Sequence, residues 1–109
     1  MAIVLDGSAQ VSCSELIEYV ESEGYGTTYY GYGSDAITKV TFYQITNADR
    51  NTYYFAIVRF TSSYRDYIYQ VASNTKYNYS ISYINSAGEA FWKYIHPYNT
   101  VLKCAPDFD

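Results

Sequence analysis

The sequence predicts an α+β fold: a three-stranded antiparallel meander followed by two helices, with an N-terminal strand and an acidic helix added in front. Three observations carry this. Residues 37–45 alternate between apolar and polar side chains with the two-residue period of strands, and 52–60, apolar on both faces, and 66–71 read as a second and a third strand. Turn-forming residues, Asn47–Asn51 and Thr61–Arg65, separate them. Two Ser-x-x-Glu patterns, Ser12 to Glu15 and Ser86 to Glu89, each precede apolar residues at helical spacing, the signature of a capping box.

The 109 residues suffice for one core, and with 49% hydrophobic and 20% aromatic residues the chain is not intrinsically disordered. No apolar run approaches the roughly 20 residues of a membrane span, so no membrane contact is expected. Met1–Leu5 is too short, and lacks the basic start, for a signal peptide. A cytoplasmic protein follows as the expectation. Cys13 and Cys104 stand near opposite ends, and two cysteines without an export signal are read as free, partly buried thiols.

Residues 1–35 form an acidic arm. Ile3–Leu5 reads as a short strand closed by Asp6-Gly7, and Leu16, Ile17 and Val20 give a helix over 13–23 its apolar face, with Glu15, Glu18 and Glu21 opposite. Gly24 reads as the helix stop. Tyr25 to Gly33 alternates tyrosine and glycine like an adaptable binding loop, rigid aromatic contacts on a pliable backbone, although a loop sealing a sheet edge would look the same. The arm carries six acidic residues and no basic one, whereas residues 36–104 hold all seven Lys and Arg. Arm and body therefore complement each other electrostatically, or one of them addresses a charged partner.

The body spans 36–98. Val40 and Phe42 face one way on the first strand, and Lys39, Thr41 and Tyr43 the other. On the second strand Tyr54, Ala56, Val58 and Phe60 oppose Tyr53, Phe55, Ile57 and Arg59, and both faces need a cover. That cover is the acidic helix, a second subunit or a ligand. The stretch 74–85 fits a strand (Tyr77, Tyr79, Ile81, Tyr83) and a helix (Tyr77, Ile81, Ile84 behind Asn74) equally. Phe91, Trp92 and Ile95 form the apolar face of a last helix that Pro97 ends, with His96 placed to cap its carbonyls. The tail, 99–109, offers only a short strand near Val101-Leu102.

Phe60, Tyr67-Ile-Tyr69, Val71, the run Ser86-Ala-Gly88-Glu-Ala-Phe91-Trp-Lys-Tyr-Ile95 and Tyr98 together resemble the KTSC domain, over about residues 38–98. Ala72 and His96 depart from that family's usual proline and basic residue. The resemblance implies a helix over 74–85, and Tyr54, Tyr67, Tyr69 and Tyr77 read as core or family-type positions. The first seven residues look like openings common among phage-encoded proteins.

No catalytic constellation is present. His96 is the sole imidazole, and no phosphate loop, nucleophile elbow or metal-ligand spacing occurs, so neither enzyme activity, a cofactor nor a metal is expected. A binding protein is expected instead: one that takes a nucleotide-like small molecule, in a phage setting as a counter-defence protein sequestering it. The alternative is a protein-interaction module, an inhibitor of a host protein or an oligomeric virion component, and a homo-oligomer is expected. Seven scattered cations make a poor track for nucleic acid. The candidate binding residues are Tyr29, Tyr30 and Tyr32 of the loop, Tyr43 and Tyr53 of the second sheet face, and Lys39, Arg59 and Arg65 for phosphate.

Overall fold

The computed structural model describes residues 12–106; the expected strand Ile3–Leu5 lies outside them. Helix α1 covers Cys13–Glu23. The Ser12 hydroxyl accepts from the Glu15 N–H at 3.2 Å, and the Glu15 carboxylate accepts from the Ser12 N–H at 3.2 Å, which satisfies two of the donors a helix start leaves open. Those bonds hold the Glu15 carboxyl below its ordinary range. Leu16 and Val20, one turn apart, are fully buried, while Glu15, Glu18 and Glu21 face out. Gly24 ends the helix in an extended conformation, not a left-handed one; a Cβ there would lie 2.9 Å from the Ile45 Cδ1.

The sheet has four strands, not three: β1 (Thr27–Tyr30), β2 (Ile37–Thr46), β3 (Thr52–Phe60) and β4 (Asp66–Val71), in that order and each antiparallel to its neighbour. The additional strand comes from the segment expected to be a binding loop. Its four residues are β-branched or aromatic, and the glycines stand only at its flanks. Gly31 permits a close crossing, because a Cβ there would strike the Ile37 carbonyl oxygen. Asn47 closes the β2–β3 turn through its side chain, which accepts from the N–H groups of Asp49 and Asn51 at 3.0 and 2.9 Å, with Arg50 left-handed.

Helices α2 (Thr75–Ser82) and α3 (Ala87–Tyr94) follow. Helix α2 turns Thr75 and Tyr79 inward, with Tyr83 just beyond its end packed on the same core, and leaves Tyr77, Ile81 and Ile84 at 57–77% exposure. The core assignment of Tyr77 is thereby corrected: the inward stripe starts at 75, two residues out of phase with it. Ser86 caps α3 through the Glu89 N–H at 3.2 Å, and Phe91 and Ile95 are buried. Pro97 lies in a 3-10 turn, His96–Tyr98, that passes directly into a last helical turn, α4 (Asn99–Leu102). Val101 and Leu102 are therefore helical and not a strand. Asn99 holds this end by bonding both backbone groups of Ala105.

The sheet has a core on each face. Val40, Phe42, Ala56, Val58, Tyr69 and Phe91 centre the core beneath α2 and α3. Leu16, Val20, Phe55, Ile57, Ile68 and Leu102 form the other, beneath α1 and α4. The second face is thus covered from within the chain, which removes the uncovered face as a reason to expect an oligomer. The cysteines are not free thiols. Cys13 at the start of α1 and Cys104 just after α4 form a disulfide, with Cα atoms 5.7 Å apart across 91 residues of sequence. Sequence distance concealed that both ends land side by side on the same face. Such bonds persist mainly in oxidising compartments. Among the described residues no helix is long and apolar enough to cross a membrane.

Candidate functional site

Strand alternation sends Phe60 and Tyr67 to the α3 side of the sheet, at the end where β3 turns into β4. Phe91 rises from α3 to meet Phe60 edge-on, ring centroids 5.2 Å apart at 89°, and lies 5.6 Å from Tyr69. Trp92 is the next residue along α3. Two consecutive helical positions differ by about 100° in direction, so both cannot point into the core. Phe91 is 2% exposed and Trp92 44%, its ring centroid 4.2 Å from that of His96 with the planes tilted by 43°.

The result is a cleft of about 300 Å³ between the β3–β4 turn and α3. Its floor is Phe60, Tyr67, Phe91 and Trp92, with Ile37 behind them; its rim is Asp35 and Thr61 to Ser63. The rim is fixed by its own bonds. Thr61 donates its N–H to the Ala36 carbonyl at 3.0 Å and its hydroxyl to the Asp35 carbonyl at 2.6 Å, while Ser63 accepts from the Arg65 N–H at 3.0 Å. Asp35, Ala36 and Gly88 also border a neighbouring recess of about 340 Å³ that runs along the start of α3 to Ile84 and Tyr32. The two form one trough, aromatic at the Trp92 end and bordered by Tyr32, Ile84 and the start of α3 at the other.

Comparison with protein-family models, characterised proteins and solved structures finds no match. The site therefore has to be argued from its own residues.

The expected binding residues are only partly brought together. Tyr30, Lys39, Arg59 and Asp66 occupy one cross-strand row, and the Tyr32 ring lies 5.9 Å from that of Tyr30. Within that row Arg59 is already engaged, its Nε donating to Asp66 Oδ1 at 2.7 Å, which stabilises its charged form. Tyr29 is structural: it points to the opposite face and packs on Phe42, Tyr79 and Tyr83 at 5.1–6.1 Å. Tyr43 and Tyr53 pack at the margin of the core beneath α1, and burial followed by the charge of Glu21 raises the Tyr43 phenol above its ordinary pKa. Arg65 stands exposed on the β3–β4 turn.

Of these residues only Tyr32 borders the trough. Phe60, Tyr67, Phe91 and Trp92, which make the cleft together with Gly88, read in the sequence as core or family-type positions. One signal marked them: adjacent Phe91 and Trp92 must diverge on a helix. Among the described residues no group of three or more His, Cys, Asp and Glu could hold a metal.

Proposed function

We propose that the protein is a non-enzymatic binding protein that holds a nucleotide-like small molecule in the trough along α3. The single observation that supports this is a preformed aromatic cleft with a polar rim, at the small end of the range of ligand sites. A planar base stacks against Trp92 over the Phe60–Phe91 floor. The Asp35 carboxylate and the Ser62 hydroxyl, both on the rim, accept from amino or sugar hydroxyl groups. The remainder of the ligand runs past Gly88 toward the first turn of α3, where backbone N–H groups and the helix dipole favour a phosphate. Phe60, Tyr67, Gly88 and Phe91, on which the KTSC resemblance rests, line the same cleft, and the family reading belongs to this proposal.

The chain has one tryptophan, so selectively excited indole fluorescence reports on the cleft alone. Titration with nucleosides, mononucleotides and linear and cyclic dinucleotides is expected to quench it saturably for at least one class. Gly88→Leu, which places a side chain in the cleft and leaves Trp92 in place, is expected to weaken that binding about tenfold or more, a loss of at least about 1.4 kcal/mol. Unchanged fluorescence with every compound overturns the reading.

A further inference from the structure

Among the described residues the outer edge of β1 is an open strand edge. The Gly31 N–H donates to the Thr38 carbonyl at 2.9 Å, so by strand alternation Tyr29 and Thr27 also bond inward to β2. The N–H and C=O of Thr28 and Tyr30 therefore point away from the sheet. Native edges are usually blunted by charge, proline or a covering element. From Tyr25 to Ser34 the chain contains neither a charged residue nor a proline. The other edge, β4, differs: it begins at Asp66 behind Arg65, and α4 and the 3-10 turn pack against it.

We propose that the β1 edge is the interface of a homodimer, in which β1 pairs antiparallel with β1 of a second copy. A two-fold axis through Tyr29 sets Thr28 opposite Tyr30 of the second copy. Each such pair exchanges both N–H···O=C bonds, and symmetry repeats the exchange. An uncharged strand suits a copy of itself, because self-pairing of a charged strand would oppose like charges. The flanking surface agrees. Tyr30 is 49% exposed and Tyr32 89%, and Ile84, 77% exposed, borders the same recess as Tyr32. A four-residue strand alone falls short of the roughly 800 Å² per partner of a stable interface. Tyr32 has most of a tyrosine's roughly 150–250 Å² left to bury, Tyr30 about half of it, and Ile84 adds to them.

Tyr32 and Ile84 also border the recess beside the Trp92 cleft, so solution mass is measured without ligand and tests the interface separately from binding. Sedimentation equilibrium of the oxidised protein is expected to give a dimer. Tyr30→Lys puts a charge on the edge. Thr28→Pro deletes an outward N–H without removing a backbone bond to β2, and loses on that side only the 2.9 Å hydroxyl contact with Thr41. Each is expected to weaken dimerisation about tenfold or abolish it, with unchanged circular dichroism. Cross-linking checks the register: the Thr28→Cys/Tyr30→Cys double variant is expected to form disulfide-linked dimers on oxidation. A monomeric wild type overturns the proposal, and so does a dimer that both variants leave intact.

Discussion

Tyr69 and Tyr79 are both fully buried, and neither hydroxyl has a hydrogen-bond partner among the described residues. An unsatisfied buried hydroxyl costs about 1–3 kcal/mol, while the ring that carries it contributes as any buried aromatic does. Tyr69→Phe and Tyr79→Phe are therefore expected to leave stability unchanged or raise it by about 1 kcal/mol each, read from the denaturant midpoint. The same burial pushes both phenols above their ordinary pKa. In the unfolded chain they ionise near pH ~10, in the fold only at higher pH, so the folded state holds its protons longer. Their contribution is complete below about pH 10 and is lost as pH rises toward the folded values. Alkaline titration is expected to unfold the protein, and the double Phe variant should postpone the onset. An onset indifferent to both substitutions would place the alkaline weakness elsewhere.

At the level of elements, legibility followed length and periodicity. The α+β class, the strands corresponding to β2, β3 and β4, and the position of α1 could all be read, because each has several alternating or four-spaced apolar residues. β1 could not: four residues, Thr27–Tyr30, are too few to establish a period, and Gly26 and Gly31 beside them read as loop. α4 failed similarly, since Val101 and Leu102 alone suggest a strand, while the Lys103 N–H closes them into a helical turn by donating to the Asn99 carbonyl at 2.8 Å. The site was the least legible part, because whether an aromatic belongs to a core or to the wall of a cleft depends on what lies across from it. Caps were readable. Ser12 engages in both bonds of its box and Ser86 in one. Ser12→Ala and Ser86→Ala each delete one hydroxyl acceptor, the Ser12 N–H bond to Glu15 being kept, and each is expected to cost about 1 kcal/mol, measured by thermal or urea unfolding.

The whole molecule is a sheet between two helical layers of unequal attachment. The α2–α3 layer follows the sheet directly in sequence and packs on it through Tyr79, Phe91 and Ile95. The α1–α4 layer is assembled from the two ends of the described chain, contributes Leu16, Val20 and Leu102, and is closed by the Cys13–Cys104 bond. Cutting a cross-link over 91 residues returns loop entropy to the unfolded chain, worth about 4–5 kcal/mol at room temperature by the loop-closure relation. That is a large share of the ~5–15 kcal/mol that holds a domain together. Thiol reduction, or Cys13→Ser with Cys104→Ser, is expected to lower stability by up to that amount. The loss has a spatial signature, because α1 has no other covalent anchor near its start and buries only one narrow stripe. Amide exchange of the reduced protein should accelerate first in α1 and α4, while β2, β3 and α3 keep their protection. Uniform acceleration across all elements would instead mean that the two layers open as one cooperative unit.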